Sequence, residues 1–226
     1  MADFLEKLMP NIMYKPEVYV RSIKETLVML GWSGAVSFLL GMFLGVVLIV
    51  TQRGGVMENR AVNQVFDKLI NFFRSIPFIV LLAGLIPLTR LLMGTAIGVK
   101  GAFVPLVFGT TPFFARQVEA ALAEIDKGVI EAALASGSGT AGIIFRVYLR
   151  ESIASITRAT TITIISLIGL TAMAGAVGAG GLGDFAIRYG HQRNQIDVTY
   201  VTTLTLVLMV SVIQVIGNFI ARKNTR

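Results

Sequence analysis

Gly178, Gly180 and Gly183 stand in the spacing G-x-G-x-x-G, and Asp197 follows 19 residues after the first of them. In a βαβ unit such glycines let the backbone approach a pyrophosphate, and a later acid takes the ribose hydroxyl. That chemistry requires a short strand before the glycines and a helix N-terminus after them. The run before them, "ATTITIISLIGLTAMAGAV", is instead 19 apolar-rich residues, about 28 Å long as a helix. The stretch that follows, "DFAIRYGHQRNQID", is polar and offers no buried helical face. The context excludes a nucleotide site. Two uses of Gly175, Gly178, Gly180, Gly181 and Gly183 remain open. They can let helix backbones approach closely, or they can shape a bend at the mouth of a path.

Other reactive constellations are equally sparse. The chain has no cysteine and one histidine, His191, which reads as an exposed loop residue. Disulfides, thiolate metal sites and cysteine nucleophiles are therefore excluded. No G-x-x-x-x-G-K-[ST] occurs, so the chain cannot hydrolyse ATP by P-loop chemistry. Apolar runs contain no paired acids, His-Glu motif or serine–lysine pair, which argues against an enzyme within the membrane. The reading is a non-enzymatic protein with no cofactor and no metal.

Composition explains why. Of 226 residues 54% are apolar and only 15% charged, with a mean hydropathy of +0.75. Soluble domains carry about 25% charged residues, so a multi-pass membrane protein is expected. The net charge of +7 would suggest nucleic acid in a soluble chain, but no basic face interleaved with aromatics is present. The cations read as topology signals instead.

Thr26–Val50 is 25 residues without a charge, Ala159–Gly183 another 25 and Val198–Ala221 a further 24. About 20 residues span the hydrocarbon. Leu69–Thr89 reads as a span with Arg74 near its first turn, where it can snorkel. A span over residues 101–122 has Arg116 and Glu119 in its last two turns. The expectation is an all-α membrane protein with one domain over residues 1–226 and five transmembrane helices, at about 26–50, 69–89, 101–122, 159–178 and 198–221. The first apolar run is too long for a secretory signal core, so no removed leader is expected. Pro77, Pro87, Pro105 and Pro112 fall inside spans two and three, either as tolerated kinks or as bends lining a path.

The connection 123–158 holds Lys127, Arg146, Arg150 and Arg158, and the tail holds Arg222, Lys223 and Arg226. The positive-inside rule places both in the cytoplasm and the N-terminus outside. Lys7, Lys15, Arg21 and Lys24 near the N-terminus oppose that orientation. A structureless loop of 36 residues would be unusual, and this one is patterned. A short helix is expected over Ile130–Ser136, with Glu131 near its start suiting the positive end of the dipole. A break follows at Gly137-Ser138-Gly139, then a second helix over about Ala141–Leu149. The first helix could dock in a partner's groove or lie on the headgroups.

"EAALASG", Glu131–Gly137, resembles the E-A-A-x-x-x-G loop of permease subunits in bacterial ATP-binding-cassette importers. Val147, ten residues after the glycine, and Leu149 match that family's apolar positions, whereas its following proline is replaced by Arg150. "FRSIPFI" (Phe73–Ile79), "IPLTRLLMGTAIG" (Ile86–Gly98), "AMAGAVGAGGLGD" (Ala172–Asp184) and "IRYG" (Ile187–Gly190) are similar to the methionine importer permease branch. The resemblance covers nearly the whole chain after Thr26. It implies a five-helix subunit in the bacterial cytoplasmic membrane that dimerises with a second copy around a translocation path. It further implies an ATPase subunit dimer and an extracytoplasmic substrate-binding protein as partners, and methionine as substrate. By the same resemblance Glu131, Ala132, Ala133, Gly137, Val147 and Leu149 couple to the ATPase. Met173 would be a gate residue, with Gly175 and Gly178 beside it on the path; Met173 could equally serve helix packing. Asp184 and Arg188, at i and i+4, are expected to pair. The competing reading, a stand-alone secondary carrier, predicts ionisable residues at mid-membrane and internal repeats. Spans one, four and five are charge-free and no repeat is evident.

Overall fold

The structure, a computed structural model, describes residues 9–224; Lys7 and Arg226 of the charge argument lie outside the described residues. Among the described residues every regular element is helical. Pro10 and Pro16 open α1 (Pro10–Tyr14) and α2 (Pro16–Thr51), first-turn positions where a missing N–H costs nothing. α2 therefore begins ten residues before the expected span at Thr26. Its 36 residues give about 54 Å, more than the hydrocarbon needs, and the added turns carry an Arg21–Glu25 ion pair of 2.8 Å.

The expected span Leu69–Thr89 is not one helix. α3 (Arg60–Ser75) ends before Pro77, α4 spans Phe78–Gly84, and α5 spans Ile86–Met93. Ile76 is extended (φ −86°, ψ 122°) because the proline ring disfavours helical geometry in the preceding residue. A second break falls at Leu85, and Pro87 sits in the first turn of α5. Arg74 lies in the last turn of α3, not the first turn of a span, where it faces the negative end of the helix dipole. Gly94 closes α5 in the left-handed conformation, φ 74°, and donates to the Arg90 carbonyl at 2.9 Å. α6 (Gly98–Ala123) runs unbroken through Pro105 and Pro112.

The remaining elements are α7 (Lys127–Ala135), α8 (Thr140–Gly142), a π-helical stretch Ile143–Tyr148 and α9 (Leu149–Glu151). α10 (Ile153–Ala174), a π-helical stretch Gly175–Ala179 kinked at Val177 and Gly178, α11 (Gly181–Phe185), a third π-helical stretch Ala186–His191 and α12 (Ile196–Lys223) follow. Pro16–Thr51, Ile153–Ala179 and Ile196–Lys223 are long and apolar enough to cross a membrane. A fourth crossing results if α5 and α6, bent by 119° at their junction, act together.

Contacts fall into two compact units. One comprises the described residues up to Ala35, Pro77–Val107 and Ile164–Ile213. Its core is Met29, Leu106, Leu167 and Ala174, with a second cluster of Ile12, Phe185 and Val198. Phe185 corrects the reading that "DFAIRYGHQRNQID" hides no apolar face: it is 2% exposed. The other unit comprises Val36–Ile76, Phe108–Thr163 and the chain from Gln214. Its core joins Ile49, Phe114, Val118 and Leu122 to Ile143, Val147 and Tyr148.

Within the second unit α2 meets α6 through Gly41 and Gly45, a G-x-x-x-G pair. A Cβ on Gly41 would lie 2.7 Å from the Phe114 ring, and one on Gly45 2.6 Å from Val118. In lipid the apolar phase gives no drive between helices, so such close approach supplies the packing. Arg116 of α6 binds Asp67 of α3, Glu119 at 2.7 Å and the Asn71 side-chain oxygen Oδ1 at 3.0 Å. That network answers how a span end can hold two charges: each is paired inside the protein.

Candidate functional site

Asp126 caps α7, its carboxylate accepting from the Gly128 N–H at 2.6 Å. The helix thus begins at Lys127, three residues before the expected start. Glu131 consequently sits in its second turn and not at its start, and Asp126 takes the dipole position assigned to Glu131. α7 has no buried residue. Ile130 and Ala133 lean on the cluster containing Ile143, Val147 and Tyr148, while Glu131 and Ala132 are exposed. Val129 (46% exposed) and Leu134 (50%) also face outward. α7 is an apolar-tipped helix held from one side.

The end of α7 is a Schellman closure. Gly137 is left-handed at φ 79°. Its N–H donates to the Leu134 carbonyl at 2.9 Å, and the Ser138 N–H reaches the Ala133 carbonyl at 3.0 Å. The chain then turns back beneath α7. Val147, 9% exposed, and the half-buried Leu149 lie in or against the core. They support α7 from below and do not face outward with Glu131 and Ala132. Burial pushes the Tyr148 phenol above its ordinary pKa. Ser152 donates to the Ala121 carbonyl at 3.3 Å, and Ser155 to Glu124 at 2.6 Å, so both ends of the coupling segment are tied together.

The glycine segment forms a kinked turn after α10. Met173 is 44% exposed, Gly175 is buried and Gly178 is left-handed at φ 98°. A Cβ on Gly175 would lie 2.6 Å from the Asp184 nitrogen and 2.8 Å from the Gly180 carbonyl oxygen. Close backbone packing is therefore one of the two open uses that the geometry demonstrates. α11 starts at Gly181, whose N–H is taken by Glu25 at 2.9 Å; the Leu182 N–H is taken by Thr26, also at 2.9 Å. A phosphate would find those donors engaged and a carboxylate beside them. Asp184 pairs with Arg188 at 3.4 Å as expected. Asp197 binds Asn11 through both oxygens, at 3.0 and 2.8 Å, and His191 is exposed.

Sequence reasoning missed Glu25, Thr26 and Asn11. Glu25 and Thr26 had as local signal only their place as a polar pair at the entry of the first charge-free run; Asn11 had none. Among the described residues no group of His, Cys, Asp and Glu could hold a metal ion.

The chain is 44% identical over 199 residues to a probable D-methionine transport system permease protein, MetI, of Vibrio cholerae, covering 88% of each chain. It is 45% identical over 173 residues to the methionine import system permease protein MetP of Bacillus subtilis, covering 76% of this chain and 78% of that protein. Among solved structures it matches a chain of the MetNI methionine ABC transporter in an inward-facing conformation. That match has a TM-score of 0.91 and 43% identity over 95% of this chain and 98% of the other. An amino acid ABC transporter solved with histidines shares the fold at a TM-score of 0.78 and 16% identity, over 95% and 98% of the chains. The model of the binding-protein-dependent transport system inner membrane component matches residues 30–226. The chain therefore belongs to the family of binding-protein-dependent transport system inner membrane components.

Proposed function

We propose that this chain is the permease subunit of an ATP-driven importer of methionine, working as a dimer with a separate ATPase and an extracytoplasmic binding protein. One observation carries the reading: α7, bearing the E-A-A sequence, stands exposed with no buried residue, capped at both ends. The relatives named as methionine permeases supply the substrate. ATP is hydrolysed on the partner, since this chain has no P-loop. Exposed Glu131 and Ala132 form the docking surface while half-buried Ala133 seats α7 on its platform; the alanines are small enough for α7 to sit deep in a groove, and Gly137 fixes its exit. Val147 and Leu149 pass its displacement to the bundle. Met173, Gly175 and Gly178 are assigned to the outer end of the path.

The same reading gives five crossings in the cytoplasmic membrane, the broken α3–α5 segment supplying the second, with the N-terminus outside and the coupling segment and tail inside. One permease domain is favoured because four of the five unit boundaries, after Ala35, Val107, Thr163 and Ile213, fall inside continuous helices, where linkers do not occur; the fifth falls at the Pro77 break. Coupling requires two states that differ in affinity for substrate on the two sides. The test is uptake of labelled L-methionine by proteoliposomes holding this chain alone or with ATPase and binding protein. Uptake should require all three and ATP; uptake by this chain alone would make it a secondary carrier.

A further inference from the structure

At the start of α6, within the first unit, a half-open cavity of about 540 Å³ is bounded by α2, the glycine turn and the segment after α11. That volume lies within the range of small-molecule sites, roughly 300–1,000 Å³. Its cations are Arg21, Lys100 and Arg188, and its acids are Glu25 and Asp184. Most of this charge is committed. Glu25 uses one oxygen for Arg21 and the other for the Gly181 N–H. Arg188 meets Asp184 through a single oxygen, Oδ1. That leaves one unpaired charge, the Lys100 ammonium, and the second oxygen of the Asp184–Arg188 pair. Lys100 has no hydrogen bond or ion pair among the described residues, and Asp184 Oδ2 accepts none there. An uncommitted ammonium and an uncommitted carboxylate oxygen lining one cavity complement a molecule that carries both charges. Val18, Ile97 and Tyr189 add an apolar wall.

The geometry points to a binding site for a free amino acid in this vestibule, with Lys100 taking the α-carboxylate, Asp184 the α-ammonium and the apolar wall the side chain. Gly178 and Gly180 form part of its lining, giving the glycine turn a second use beyond packing. The inference rests on the importer reading, which supplies an amino acid arriving at this end of α6. A permease site of this kind holds substrate after release from the binding protein and before the path opens. The site is charged and half-open, so the binding it offers is weak and fast, as a relay requires.

Equilibrium binding of radiolabelled L-methionine to the full chain assembled with its ATPase in detergent, without binding protein, tests this. Saturable binding is expected. Lys100→Met should weaken it about tenfold, the size of one charge-assisted hydrogen bond. Asp184→Asn should act similarly, and Lys100→Arg should largely restore it. Methioninol, which lacks the carboxylate, should not compete. Because Lys100 is exposed, an unchanged thermal midpoint in Lys100→Met excludes misfolding as the cause. Absent binding, or binding indifferent to Lys100→Met, overturns the site. So does displacement by phosphatidylethanolamine alone, the membrane's own zwitterion of ammonium and phosphate. Binding-protein-driven uptake by the same complex separates the two readings: active uptake without vestibule binding removes only this inference. Saturable binding of alanine with methionine excluded would keep the vestibule and remove the methionine assignment.

Discussion

Gly137 offers the sharpest perturbation of the coupling segment. Its backbone is left-handed at φ 79°, and a Cβ built there meets nothing within 4 Å. Replacement by alanine therefore costs only conformational energy, about 1–2 kcal/mol for an L-residue in that region. Asparagine tolerates the geometry better and should cost less. Proline cannot comply: its φ is held near about −65°, and it lacks the N–H that Gly137 gives to Leu134. About 1–2 kcal/mol lowers the population of the closed Schellman end by a factor of roughly 5–30.

The cost stays local, because α7 contributes no buried residue to the core. ATP-driven methionine uptake should fall in the order Gly, Asn, Ala, Pro, with Pro near zero. Membrane insertion and the thermal midpoint of the purified chain should stay close to those of the unmodified protein. Uptake by the Gly137→Pro chain at the unmodified rate would refute the assignment of α7 as the coupling helix. Parallel loss of uptake and of thermal midpoint across the series would refute the claim that the effect is local.

Three further outcomes follow from the geometry. Asp67→Ala removes one of the groups binding Arg116, leaving Glu119 and Asn71; with Asp67 42% exposed, a loss of about 1 kcal/mol, or roughly 2–4 °C, is expected in a thermal melt. Gly175→Ala forces a methyl group to 2.6 Å from the Asp184 nitrogen and should lower stability by about 1–3 kcal/mol, measured by the same melt. Met173→Ala, at a side chain 44% exposed, should leave the melt nearly unchanged and alter the uptake rate. An unchanged rate would take Met173 off the path.

What could be read from the residues was what periodicity and charge encode locally. The long charge-free runs located α2, α10 and α12 to within a few turns, and Gly137-Ser138-Gly139 located the turn after α7. Misplaced features depended on distant partners or on proline. Pro77 and Pro87 were both marked as kinks or bends, and the helix breaks just before each, at Ile76 and at Leu85; where the segments go after each break depends on distant partners. The caps on Gly181 and Leu182 come from residues 156 positions away in sequence, and Arg116 finds Asp67 49 positions away. Such pairs follow from which helices pack together, and helical period carries no record of that. The start of α7 was misjudged for a smaller reason: Asp126 is a better cap than anything nearer Ile130, and capping residues outrank the first apolar residue in setting a helix start.

The glycines show most clearly why one letter in a sequence supports two chemistries. At Gly137 the requirement is a torsion angle, and space is free; at Gly175 the torsion is ordinary, and space is absent. Alanine at the first position strains an exposed turn, so transport should respond before stability does. Alanine at the second wedges apart a buried backbone contact, so stability should respond first and transport should follow in proportion. A plot of uptake against thermal midpoint for the two variants separates them. Points for both on one line would mean that α7 is an integral part of the folded core, contrary to its exposure. Separate lines would show that this permease divides the work of its glycines between holding the bundle together and aiming the helix that receives force.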